Sequence, residues 1–146
     1  MANVSKEEEE LRKLSVEMRF LEQTAETLQQ RISMVNAAMT DLTYASMTLE
    51  GMEKEKENAE LLVPIGGSSY IKVKLACSDK VVVGMGAGVS IEKTLPEAKA
   101  IVKERLEELE KTMQSAQQQF AQIAQRINAG RSRVESLLAT VREGTA

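Results

Sequence analysis

Two stretches of heptad periodicity, residues 11–49 and 102–141, bracket a segment in which the period falls to two, and no other feature limits the fold as strongly. In the first stretch the a positions are Leu11, Met18, Ala25, Ile32, Met39 and Ser46, and the d positions are Leu14, Leu21, Leu28, Val35, Leu42 and Leu49. Only Ser46 is polar, where a chain that is 42% hydrophobic would place about five apolar residues in these positions by chance. The second stretch runs Leu106, Met113, Phe120, Ile127, Val134 and Val141 on one row, and Val102, Leu109, Ala116, Ile123, Gly130 and Leu137 on the other. Heptads sustained this long specify a coiled-coil seam rather than a merely amphipathic helix. Composition agrees: aromatics are 3%, charged residues 28%, and the core formers are aliphatic, a profile that suits long helices.

Between the seams, residues 61–93 read as four strands. Leu61-Leu62-Val63-Pro64-Ile65 is a short apolar run, and Gly66-Gly67-Ser68 is a turn. Ser69 to Leu75 alternates cleanly, with Ile71, Val73 and Leu75 on one face and Lys72 and Lys74 on the other. Ser78-Asp79-Lys80 turns the chain again, and a second strand pair follows. Pro64 predicts an edge strand or a bulge. Val81-Val82-Val83 lacks alternation, which predicts a strand covered on both faces or lying at a subunit junction.

The stretch Val83-Gly84-Met85-Gly86-Ala87-Gly88-Val89 imitates a phosphate loop but does not match one. A dinucleotide fingerprint needs G-x-G-x-x-G running into a helix. Here the third glycine comes one place early, and Val89-Ser90-Ile91-Glu92-Lys93 continues at strand period. The glycines are expected to shape a hairpin turn that tolerates positive φ.

Other classes are disfavoured in the same way. The net charge is −3, against the basic face expected of a nucleic-acid binder. No apolar run is long enough to span a membrane, and Met1–Glu8 lacks the apolar core of a signal peptide. Cys77 is the single cysteine, which fits a reduced, cytoplasmic setting and an incidental thiol in a turn. With no histidine and no metal-spaced cysteines, the chain offers no catalytic set, no metal site and no need of a cofactor. An enzyme is not expected.

The fold class that follows is α+β: a long antiparallel coiled-coil hairpin with two central β-hairpins. Residues 1–58 form the first helix, 59–94 the hairpins and 95–146 the second helix, as one structural unit. Ser5 with Glu8 and Thr94 with Glu97 are candidate capping boxes, Pro96 fits a first turn, and Gly144 is a candidate helix stop. Residues 53–57 read equally as helix or as a charged exit. If the helix-to-strand junctions sit level, Leu21 faces Gly130, Ala25 faces Ile127 and Val35 faces Ala116. Because each helix spends its seam on the other, nothing in the chain is left to cover the hairpins, and isolated hairpins are marginal in water. Hairpins from several chains are therefore expected to share an intersubunit β-barrel platform. Its contacts would come from Val63, Ile65, Ile71, Val73, Leu75, Val81, Val83, Val89 and Ile91.

This build, helix–two hairpins–helix over the whole chain, resembles prefoldin of the archaeal type, and within it the α-class subunit. The segment Leu62-Val63-Pro64-Ile65-Gly66-Gly67-Ser68-Ser69-Tyr70-Ile71 is similar to the family's L-V-P-[VI]-G-x-G-S-[FY] signature, with Ser68 where glycine is frequent. Val83–Val89 is similar to its V-x-V-G-x-G turn. β-type subunits carry one hairpin, so two hairpins favour the α class. The resemblance implies a hetero-oligomer of two α-type and four β-type subunits. It would be an ATP-independent co-chaperone that holds non-native polypeptide and passes it to a group II chaperonin in the cytoplasm. The alternative is a structural, filament-forming coiled coil built by the same platform. Nucleic acid and membrane are not expected partners.

Client contacts are expected at the free end of the coil, near residues 5–25 and 127–143. Leu11, Leu14, Met18, Leu137 and Val141 lie there on the seam, and Val16, Phe20 and Leu138 lie off it. Gly130 weakens its helix by about 1 kcal/mol relative to alanine. A gap opposite Leu21 would let this end fray and expose seam side chains.

Overall fold

A computed structural model of the chain describes residues 2–145, with side chains described over 6–144. The order is α1 (Ala2–Glu53), β1 (Glu60–Gly66), β2 (Ser69–Lys74), β3 (Lys80–Gly86), β4 (Val89–Thr94) and α2 (Leu95–Thr145). β1 pairs antiparallel with β2, and β3 with β4, as two separate two-stranded sheets. The contacts group into two compact units, residues 1–37 with 111–146, and residues 38–110.

In the first unit the seam residues turn inward. Met18, Leu21 and Ile127 are buried, with Leu14, Ala25 and Ile123 packed against them. The register differs from the level-junction expectation. Gly130 lies against Met18, not Leu21, and a methyl group on it would overlap the Met18 sulfur. Gly130 thus opens no gap; it is a notch that the Met18 thioether fills. Among the described residues no polar or charged residue is buried, so no buried polar pair chooses the register. Shape at Gly130 contributes to that choice, helped by ion pairs outside the seam. Arg133 Nε and Nη2 both donate to Glu10 Oε1, at 3.0 and 2.9 Å. Arg126 reaches Glu17 at 3.4 Å and Arg131 reaches Glu22 at 3.7 Å.

In the second unit, Leu49, Leu95, Ala98 and Val102 are buried as one cluster, joined by Leu42, Ala45, Met52, Leu106 and two strand residues, Val81 and Val83. Hairpin β3–β4 is therefore not bare: the helix ends cover one face of β3. The uniform valine run hides an alternation in burial, since Val81 and Val83 are half-buried and Val82 is 73% exposed. Lys99 pairs with Glu53 at 2.7 Å across the helices.

The helix ends are set by local chemistry. β4 ends at Thr94 and α2 begins at Leu95 with no linker. Thr94 Oγ1 accepts from Glu97 N at 3.3 Å, and the Leu95 N–H donates to the Asp79 carbonyl at 2.8 Å. Two of the first-turn amides left without helical partners are thereby satisfied. The Glu97 carboxylate lies 4.0 Å from Lys93. At the other termini the expected signals do not operate. α1 begins at Ala2, so Ser5 lies inside the helix, and α2 continues through Gly144. The charged run after Glu53 is an exit, closed by Asn58 at φ 66° with its N–H on the Leu75 carbonyl.

The hairpins repeat one another with an offset of twenty residues: Pro64 pairs with Tyr70 and Gly84 with Ser90. Each has a register shift on the first strand, before Gly66 at φ 101° or Gly86 at φ 99°. Each then turns through two left-handed residues, Gly67 and Ser68 or Ala87 and Gly88. That is the type I′ turn suited to a two-residue loop, preceded by a bulge at a position where glycine's freedom is needed.

The notch gives a stability test. At an ordinary helix position glycine-to-alanine gains about 1 kcal/mol. Gly130→Ala should show no such gain beside Met18 and should recover it in a Met18→Ala background, read as the thermal transition of the helical circular-dichroism signal. An equal gain in both backgrounds would mean that Met18 does not fill the notch.

Candidate functional surfaces

The nine apolar hairpin residues assigned to assembly differ in cover. In β1 and β2, Val63 is 42%, Ile65 59% and Ile71 49% exposed, while Val73 and Leu75 are half-buried. The ladder places Val63 opposite Ile71 and Leu61 opposite Val73, so these four form one apolar face of hairpin β1–β2. In the second hairpin Val83 pairs with Ile91. Val81 and Val83 sit on the helix cluster, while Val89 and Ile91 are 54% and 42% exposed.

One side chain treats the hairpins differently. The Arg105 guanidinium on α2 donates to the Gly84 carbonyl at 2.7 Å and lies 4.0 Å from the Met85 sulfur. It ties the β3–β4 hairpin to the helix that follows. Sequence reading had no signal for it, because Arg105 looks like any charged residue beside a seam. The second strand pair is thus held by Val81, Val83 and Arg105, whereas β1–β2 lacks a matching clamp from the helices among the contacts described.

The coil-end residues also divide. Met18 and Leu137 are buried, and Leu11, Leu14 and Val141 are half-buried, all in the seam. Val16 is 69%, Phe20 67% and Leu138 39% exposed. With Met18 opposite Gly130, residue 138 lies level with residue 10, about 15 Å along the helix from Phe20. The three outward side chains are therefore spread over several turns and form no single patch. Met34 and Met47, off the seam, are 74% and 62% exposed.

No grouping of three or more possible metal ligands occurs among the described residues. The Cys77 thiol donates to Asp79 Oδ1, and this bond holds the Asp79 carboxyl below the usual carboxylate range. No described helix is long and apolar enough to cross a membrane.

Two long helices joined through twin antiparallel hairpins, with apolar strand faces left open, define the architecture of the chain. Comparison with known proteins agrees. The family model described as "Prefoldin subunit" matches residues 21–140. The prefoldin subunit alpha of Methanococcoides burtonii is 36% identical over 82% of this chain and 87% of its own. That of Methanosarcina mazei is 34% identical over the full length of both, and that of Pyrococcus horikoshii 32% over 81% and 80%. Among solved structures, the filamentous PFD of Methanocaldococcus jannaschii superposes with a TM-score of 0.66 at 25% identity, covering 77% of this chain and 93% of that one. The chain belongs to the prefoldin family, a family of non-enzymatic chaperone subunits, and the three relatives just named are α subunits.

The clamp can be tested by hydrogen exchange. Arg105→Ala should speed amide exchange in β3–β4 while leaving β1–β2 unchanged. Equal protection in both proteins would show that the apolar contacts of Val81 and Val83 hold the hairpin alone.

Proposed function

We propose that this chain is the α-type subunit of an ATP-independent, cytoplasmic co-chaperone that assembles with β-type subunits through its hairpins. It holds non-native polypeptide at the free end of its coil and yields it to a group II chaperonin. The observation that carries this reading is the outward position of Phe20 and Val16, 67% and 69% exposed near that end. A chain with only two phenylalanines places one of them in solvent. Several such contacts, each weak, add by avidity when a number of coils grip one client. Leu138 extends the contact, and the seam residues Leu11, Leu14, Met18, Leu137 and Val141 support it or take part when the end opens. In this function holding is passive and reversible and needs no nucleotide.

Assembly and holding separate by mutation. Val73→Asp, on the apolar hairpin face, should lower the oligomer mass while most of the helix signal remains; an unaltered mass would remove that face from the platform. Phe20→Ser with Leu138→Ser should leave assembly intact and weaken suppression of aggregation of an unfolded protein without ATP. Unchanged suppression would transfer the grip to the β-type coils.

A second reading has a specific motive, the likeness to a filamentous PFD. In it the same hairpins build a filament from this chain alone. Defined hexamers formed only with a β-type partner support the co-chaperone, and long filaments from the purified chain support the structural role.

A further inference from the structure

Met18 is the one buried methionine among those described. Its side chain has two kinds of neighbour. One is the Gly130 notch, where a methyl group on the glycine would overlap the Met18 sulfur. The other is an open groove of about 400 Å³ between the helices, which Met18 lines together with Arg19, Glu22, Arg131 and Val134. The residue is thus tightly packed on the notch side and bordered by space that a small solute can enter. Around it the seam is apolar, with Leu21 and Ile127 buried beside it and Leu14, Ala25 and Ile123 against them. No polar or charged residue is buried among the described residues.

We propose that the Met18 thioether is a site of reversible oxidation to the sulfoxide, and that this oxidation unlocks the free end of the coil. The oxidant is a hydroperoxide. A sulfur lone pair attacks one peroxide oxygen, the S–O bond forms as the O–O bond breaks, and the departing oxygen takes the proton and leaves as water. Sulfur gives up two electrons and the peroxide accepts them. In the return step a sulfoxide reductase passes two electrons and two protons from a dithiol, which becomes a disulfide, and the oxygen leaves as water. The product does not fit where the thioether does. A sulfoxide is polar and chiral, its oxygen is a strong acceptor, and a buried acceptor without a donor is destabilising. The notch has no room for a further atom, and the seam around it holds no donor side chain. The donors at hand are the guanidiniums of Arg19 and Arg131 on the groove wall. Turning toward them withdraws the sulfur from Gly130, takes an apolar neighbour from Leu21 and Ile127, and competes with Glu22 for Arg131, a pair 3.7 Å apart. The shape match and one ion pair that hold this end are lost together. The seam residues Leu11, Leu14, Leu137 and Val141 then become available to non-native polypeptide while an oxidant is damaging other proteins. Oxygen on Met34 or Met47 has no such effect, because both stand in solvent. The inference rests on the proposal that the coil end holds client.

The assembled full chain is treated with hydrogen peroxide, and each oxygen gained is mapped by peptide mass. Met18 should take one oxygen. Amide exchange over residues 14–25 and 123–134 should then rise at least about tenfold, while the hairpins stay as they were. Suppression of aggregation of an unfolded protein should strengthen at the same time. Methionine sulfoxide reductase with dithiothreitol should return both measurements to their starting values. Met18→Leu keeps an apolar side chain of similar volume, and peroxide should change neither measurement from that variant's own untreated state. Met34→Leu with Met47→Leu should respond to peroxide as the wild-type chain does. The proposal is overturned if Met34 and Met47 become sulfoxides while Met18 stays intact, if Met18 sulfoxide forms without faster exchange, or if the response survives Met18→Leu. Faster, reversible exchange with unchanged holding upholds the modification site and removes the coil end as the client grip, so the two readings fail separately.

Discussion

Ala98, with no exposed surface, is where the structure of the second unit closes. A side chain this small lets Leu49 on α1 and Leu95 and Val102 on α2 meet in one cluster, with Val81 and Val83 of β3 against it. Helix pairing and strand placement therefore share one burial event. The hydrophobic return on that event, about 25 cal/mol for each Å² of apolar surface removed from water, stabilises the helix pair and seats a hairpin that would be marginal alone. Arg105 adds direction, because a hydrogen bond to the Gly84 carbonyl fixes the strand's position along the helix where apolar contact alone would tolerate sliding. The hairpin β1–β2 has no comparable support among the contacts described.

The elements of this fold were legible because their periods differ. A seven-residue repeat and a two-residue repeat cannot be confused over such lengths, and the twin glycine turns mark where the strands reverse. Every seam position with a described side chain is buried or half-buried, including the polar Ser46 and the glycine at 130. The pairing of the seams was not legible. Apolar heptads are nearly equivalent under a slip, and level junctions require both helices to leave the strands at the same height. In fact β4 runs directly into α2, whereas residues 54–59 separate α1 from β1. The observed register includes a shape match, Met18 against Gly130, beside the ion pairs outside the seam, and such a match has no signature in a hydrophobic pattern.

The hairpin surface was partly legible. Alternation in Ser69–Leu75 identifies a two-faced strand, but Val81–Val83 shows none, and only the fold reveals that Val82 turns to solvent while its neighbours face the helices. Arg105 carried no signal at all, since its partner is a backbone carbonyl, which every residue possesses. Heptad offsets place Val16, Phe20 and Leu138 outside the seam, and all three are exposed in the fold. Their spacing along the helix depends on register, so it stayed hidden for the same reason.

The direct passage from Thr94 to Leu95 has a mechanical meaning. A strand that becomes a helix without a loop has no compliant element between them, and here the junction is further braced by the bond from Leu95 to Asp79. The orientation of the first turn of α2 is therefore tied to that of β4. On the α1 side, residues 54–59 intervene, and the chain reaches β1 through turns closed by bonds from Asn58 N to the Leu75 carbonyl and from Ala59 N to the Lys56 carbonyl. The second unit thus has one direct shoulder and one looped shoulder, and the direct one belongs to the helix that follows the strands.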